Sequence, residues 1–358
     1  MAAYILVSFL PLLVGCFFKD VNIDKKQKKY FLIITGIAMV LFLGLRDKHI
    51  GSGDTYSYFG LFEAAISKST WHGFTSYLSR YMPAFKEKEV GFQIFVWLLS
   101  RVTSNGQAII AVTAFIYIAS LMRYIYHNSD DVVLSIIMYI TLGLMFFEMQ
   151  GMRQSIAMSI CLLSYESLKK NKFVPFVLWV ILACFFHKTA IVFFVLWLFR
   201  KFTINQKHLF YFSLLGVAVI VFCNTIIRVA NDFFDMNYGK AVDGGGFVAT
   251  SIYILTIIFV YTFVPRDKMD QKFSLAFYMM LLGFVCYIVR YFGAQASERI
   301  SFYFMFAQLI VLPNAICSMS NDREKAITKM IVVLLSIALM IYRLSGSELV
   351  PYLFYWQS

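Results

Sequence analysis

Charge is scarce in this sequence. Asp, Glu, Lys and Arg make up 15% of its 358 residues, against about 25% in an ordinary soluble domain, which excludes a soluble globular enzyme. Glycine (19) and proline (6) are also few, which excludes a collagen-like or disordered chain. The six cysteines (Cys16, Cys161, Cys184, Cys223, Cys286, Cys317) never form a C-x-x-C pair and fall in or at the ends of apolar runs. Neither a disulfide framework nor a metal site is read from them. What is abundant is apolar: 60% hydrophobic residues, with 38 Phe and 22 Tyr, in runs that recur from end to end. This is the composition of a polytopic membrane protein.

The runs lie near 3–18, 30–45, 106–126, 132–148, 153–168, 173–186, 188–199, 208–226, 247–264, 273–291, 300–319 and 327–342. They are too long and too uniformly apolar for barrel strands, so the expected fold is all-α with about 12 transmembrane helices. Run 3–18 lacks the preceding basic segment of a secretory signal and is expected to stay as the first span. Segment 173–199 would measure roughly 40 Å as one helix, long for one span, and is expected to turn at His187-Lys188. Segment 91–103 reaches only about 20 Å and reads as re-entrant or interfacial. The expectation is one domain over 1–358, with 46–105 as the main extracytoplasmic loop carrying an interfacial helix and 227–246 as a second outer loop.

The net charge of +12 lies in short clusters between apolar runs rather than along one helix or tail, so it reports topology and not nucleic acid. Short loops rich in Lys and Arg stay cytoplasmic, which places 19–29, 169–172, 200–207, 266–272 and 323–329 inside and both termini outside. Fourteen of the twenty lysines then sit inside. Eight of the twelve arginines do the opposite: Arg46, Arg80, Arg101, Arg153, Arg228, Arg290, Arg299 and Arg343 fall on the outer side. Arginine's planar fork grips phosphate bidentately, so such a set suits a lipid diphosphate. The alternative is that these residues anchor helices to lipid phosphates or pair with carboxylates.

Charged residues inside apolar segments are costly and informative. Arg153 follows a short break, Glu148-Met149-Gln150-Gly151-Met152, and could serve a ligand or pair with Glu148. His187 stands at a break beside Lys188 and could be catalytic or a satisfied core residue. Glu298 and Arg299 open the run 300–319 close to Arg290; Glu298 could be only a helix-dipole partner, and Arg299 its counter-ion. Asp54 follows two glycines and could cap a helix or hold sugar hydroxyls. Asp232, Asp235, Asp243 and Gly244-Gly245-Gly246 lack the spacing of a calcium loop or a P-loop and read as a gate.

Taken together, Arg46-x-x-x-x-Gly51-x-x-Asp54-Thr55-x-x-Tyr58, Glu89-x-Gly91-Phe92, Met152-Arg153-Gln154-x-x-Ala157 and Phe186-His187-Lys188-Thr189-Ala190 resemble the EpsG family of exopolysaccharide polymerases, within the wider class of Wzy-type O-antigen and capsule polymerases. Gly151-Met152 departs from the polar residue and Ile or Phe expected before the arginine. The resemblance implies a multi-pass protein of the bacterial plasma membrane with its active site facing the exterior. It also implies an undecaprenyl-diphosphate-linked oligosaccharide as substrate, no cofactor and no metal. Possible partners are a chain-length regulator and a flippase, alongside membrane lipids.

On that basis Arg153, Arg299, Arg290 and Arg46 would hold the diphosphate, with His187 or Glu298 as the base. Asp54, Tyr58, Gln154 and Glu89 would hold sugars. The rival readings are a lipid-linked oligosaccharide flippase, an O-antigen ligase and another membrane transferase.

Overall fold

The computed structural model describes residues 1–18, 21–22, 24–51, 53–68, 70, 72–76, 90–234, 247–292 and 295–357; at 53–54, 227, 230–234, 247–249, 292 and 295–296 only the backbone is considered. The described secondary structure is helical, apart from one isolated bridge between Arg46 and Phe354. The first eight helices are α1 (Ala2–Gly15), α2 (Lys25–Gly44), α3 (Gly53–Ile66), α4 (Val90–Val102), α5 (Gln107–Asn128), α6 (Val132–Thr141), α7 (Leu144–Gln150) and α8 (Met152–Lys169). They are followed by α9 (Phe173–Phe186), a 3-10 stretch Lys188–Val195 leading into α10 (Leu196–Phe199), α11 (Gln206–Val221) and α12 (Cys223–Phe234). The chain ends with α13 (Phe247–Phe263), α14 (Gln271–Val289), α15 (Gln295–Met305), α16 (Gln308–Cys317) and α17 (Asp322–Leu344).

Among the described residues four helices, α2, α5, α14 and α17, are long and apolar enough to cross a bilayer. Two bent pairs raise the count to six: α6 with α7, bent by 50°, and the 297–305 part of α15 with α16, bent by 41°. Helices α1, α4, α9 and α11, residues 188–199 and residues 250–263 are apolar but shorter, at 10–17 residues. The protein is thus an all-helical membrane protein whose helices follow the apolar runs of the sequence.

The expected break at His187 is present: α9 stops at Phe186 and the chain tightens into the 3-10 turn. Segment 91–103 is the 13-residue α4, which lies against α3 and α9. Of segment 227–246, expected as a second outer loop, only 227–234 fall within the described residues, where they belong to α12.

Helix α8 explains itself from composition. Its Arg153, Gln154, Ser155, Ser159 and Ser164 make it too polar to face lipid, and it is buried along almost its whole length between α5, α7 and α9. Ser155 and Ser159 bond back to the carbonyls four residues earlier, at 3.0 and 2.8 Å, so their hydroxyls need no outside partner. Conversely, the outward faces of α2 and α17 expose Ile33, Ile37, Leu41, Leu334 and Leu335, as lipid-facing helices do.

The bundle has two distinct ends. At one, Lys28 reaches the Ser129 carbonyl at 2.6 Å, Lys329 pairs with Asp131, and Asn314 bridges to Asn128 and Asp130. At the other end α2 finishes, α7 breaks into α8, and both chain ends come together. There Tyr4 is fully buried, its ring 5.6 Å from Phe42, Phe146 and Tyr352, and its hydroxyl donates to Leu349 O at 2.8 Å. Phe42 and Tyr352 stack at 4.3 Å, and Tyr355 N–H donates to Leu45 O at 2.9 Å. Residue 4, the segment 349–355 and the arginines Arg46, Arg153 and Arg343 therefore share an end.

Candidate active site

Helices end in carbonyls with no partner of their own, and away from water these must be satisfied by side chains. Several of the arginines expected on the outer side do this. Arg46, fully buried, donates through Nη1 to Leu43 O at 2.7 Å, through Nη2 to Met149 O at 3.1 Å and through Nε to Ile50 O at 3.4 Å. Arg343 Nη1 reaches Leu142 O at the end of α6, and Arg101 Nη2 donates to Ala65 O near the end of α3 at 2.6 Å. Arg290, 9% exposed, is ion-paired with Glu298 at 2.8 Å and bonded to the Tyr287 hydroxyl at 3.1 Å.

These positions correct two expectations. Arg46 is spent on three backbone carbonyls and is not presented to a diphosphate. Glu298 pairs with Arg290 rather than its neighbour Arg299. Neither alternative weighed for the arginine set included helix-end carbonyls, which cannot be seen before helix ends are placed in space. Arg228, on α12, is exposed, and Arg80 lies outside the described residues.

The carbonyl of Met149 is where the first sequence motif converges. Besides Arg46, the Thr55 hydroxyl donates to it at 3.3 Å. Gly51 has φ +114°, and a Cβ there would come within 2.0 Å of the same oxygen. Arg, Gly and Thr of R-x-x-x-x-G-x-x-D-T thus form one clamp on the end of α7. One residue beyond lies Gln150, then Gly151, and from that break α8 starts with Met152-Arg153.

Buried beneath the clamp is Glu148, fully enclosed, both of whose carboxylate oxygens lack a hydrogen-bond partner. The Glu148–Arg153 pair weighed from the sequence is therefore not formed. Arg46 is instead the cation that feels Glu148: burial pulls its pKa below the usual arginine value, and Glu148 foremost opposes that shift.

Arg153 is half-buried and turns the other way, its Nε donating to the Tyr58 hydroxyl at 3.2 Å with the guanidinium 5.8 Å from the ring centroid. Tyr58 packs on Phe92, centroids 4.9 Å apart. Beside Phe92, Gly91 approaches α9 so closely that a Cβ would sit 2.7 Å from the Phe185 carbonyl. Two residues on is His187, 9% exposed. The turn after it is tied to α15 by a 3.2 Å hydrogen bond between the hydroxyls of Thr189 and Tyr303. Helix α15 is tied in turn to α8, because Gln154 Nε2 donates to Arg299 O at 2.6 Å.

The structure therefore brings Tyr58, Arg153, Gln154, His187, Arg290, Glu298 and Arg299 to one end of the bundle through a chain of direct contacts. Arg299 is exposed there, whereas Gln154 is 4% exposed and holds Arg299's backbone rather than facing outward. The backbone places Asp54 in the first turn of α3, after the helix start rather than before it. Its side chain, like Glu89, Asp235 and Asp243, lies outside the described residues. What sequence reasoning missed is the set of brackets, Thr55, Thr189 and Tyr303. Thr55 and Thr189 stand inside the quoted motifs, which was their only signal.

This is the architecture of a polytopic helical membrane protein with the described motif residues gathered at one end. A family model matches residues 29–354, nearly the whole chain, and the protein belongs to the EpsG family, which is associated with Wzy-type exopolysaccharide polymerases. No curated protein and no solved structure is similar enough to match it.

Proposed function

We propose that the protein is a polysaccharide polymerase that joins undecaprenyl-diphosphate-linked oligosaccharide repeat units on the outer face of the bacterial plasma membrane. The observation that carries this reading is the convergence of the described residues of the four motifs on one end of the bundle, where Arg153, held against Tyr58, and the exposed Arg299 stand near His187.

In the reaction, the bond between the anomeric carbon and the diphosphate oxygen breaks. A new bond forms from that carbon to a hydroxyl of the incoming lipid-linked unit, and the hydroxyl's proton is taken up by a base. Negative charge grows on the departing diphosphate oxygen. Fixed cations aimed at such charge lower the barrier, commonly by a factor of about 10²–10³ per donor. Arg153, oriented by Tyr58, supplies one and Arg299 another. His187 is the better candidate for the base, because the carboxylate of Glu298 is already held by Arg290 at 2.8 Å. Tyr58 and Asp54 offer sugar contacts, and the polyprenyl tail lies along the apolar flank of the bundle.

The test is conversion of purified lipid-linked repeat units into longer glycans by the protein in nanodiscs. Wild type should give ladders. Arg153→Ala and His187→Ala, still folded, should lose them, and Arg153→Lys should lose most activity because a point charge cannot replace a fork. Folded wild type that moves the cognate lipid across liposomes without extending it would make the protein a flippase.

A further inference from the structure

Helices α2 and α5 run antiparallel and leave between them a groove of about 580 Å³ that extends from Lys29 at the lysine end to Leu41 in the last turn of α2. Its walls are apolar, with Ile37, Leu41 and Phe115 along its length, and Ala119 opens onto it. Gly36 lets the helices close on each other at its floor, where a Cβ would be 3.3 Å from Met122 Cγ. At one end stand Lys29, Arg123 and His127, and no acidic residue lines it among the described residues. Lys29 and Arg123 are both exposed, and neither makes an ion pair among the described residues. Their neighbour Lys28 differs: it is tied to Ser129 O at 2.6 Å and lies 5.6 Å from the Tyr126 ring.

We infer that this groove binds an anionic glycerophospholipid of the lysine-side leaflet, its phosphate held by Lys29 and Arg123 and one acyl chain laid between α2 and α5. The dimensions agree. From Lys29 to Leu41 is twelve residues of helix, about 18 Å, and one leaflet contributes about half of a hydrocarbon core roughly 30 Å thick. A chain of one-leaflet length entering at the basic end thus fills the groove. The charge agrees as well, since two cations in no ion pair among the described residues, at a lipid-facing mouth, favour an anionic head group over a zwitterionic one. The basic mouth of the groove lies at the lysine end, opposite in depth to the arginine site, so the head group held there is that of a resident lipid and not the diphosphate of the proposed substrate.

Native mass spectrometry tests this directly. The detergent-released protein is offered equimolar phosphatidylglycerol and phosphatidylcholine with matched chains. Wild type should retain one phosphatidylglycerol, preferred by about 30-fold if each cation contributes on the usual scale. The double variant Lys29→Gln/Arg123→Gln should bind both lipids alike. Ala119→Phe keeps both charges but fills the groove, and should lose the retained lipid altogether. Melting temperatures identify any variant that has unfolded, and the two variants probe head group and chain separately. Equal retention of the two lipids by wild type would overturn the inference, as would an unchanged preference in the double variant or full retention by folded Ala119→Phe.

Discussion

Arg46 shows how a residue type can be right for a region and wrong for a role. A guanidinium with three carbonyl acceptors and a buried carboxylate nearby is a structural cross-tie, and removing it leaves the enclosed Glu148 charge uncompensated. Arg46→Met is expected to destabilise by about 3–5 kcal/mol, measured as a drop in thermal midpoint in detergent, and Arg46→Met combined with Glu148→Gln should recover part of it. Gly51→Ala should be worse than its size suggests, because it adds positive-φ strain of about 1–3 kcal/mol to a clash with Met149 O. Arg153→Ala belongs to a different class, since it should leave the melting temperature nearly unchanged and remove glycan extension. A common loss of stability for Arg46 and Arg153 variants would contradict this division. The sequence made all three residues visible as members of one motif set, but not which of them support and which act, because that depends on which carbonyls each guanidinium meets.

At the scale of elements, the site is assembled by ties between helices far apart in sequence. The Thr189–Tyr303 hydrogen bond fixes the turn after His187 to α15, and the Gln154 bond to Arg299 O fixes α15 to α8. A double-mutant cycle of Thr189→Val and Tyr303→Phe should give a coupling of about 0.5–1.5 kcal/mol in stability, with the polymerisation rate falling in each single variant while substrate retention changes little. Zero coupling would mean that the turn is held by something else. Apolar runs and breaks foretold the helices and the turn at His187 well, because length and hydropathy govern both. They did not foretell that α8, too polar to face lipid, would be the central helix, nor that α6–α7 and α15–α16 would each bend. Bends arise from local events, here Gly143 at φ +95° packed under Arg343, that hydropathy does not encode.

For the whole molecule, the two ends divide the charge: lysines, aspartates and asparagines bind the helices at one, arginines cap and line the other. The proposed orientation makes a direct prediction. In a variant freed of the six native cysteines, Glu348→Cys should react with a membrane-impermeant maleimide on intact cells, whereas Lys268→Cys should react only after permeabilisation; both positions are exposed. The reverse pattern would turn the arginine site toward the cytoplasm and remove the basis for outward polymerisation.

The Tyr4 contact also bears on how the protein is made. Its hydroxyl bonds to Leu349 O, 345 positions away, and its ring lies between Phe42 and Tyr352. The first helix is inserted early, yet the socket for its tyrosine is incomplete until residues beyond 349 have left the ribosome. Until then α7, whose Phe146 and Met149 meet Tyr4 and which leads into the helix bearing Arg153, packs on a socket missing one side. A stalled or shortened chain would insert most of its helices and still lack a braced active end, so a truncation at residue 345 should reach the membrane in normal amount and melt well below the full chain.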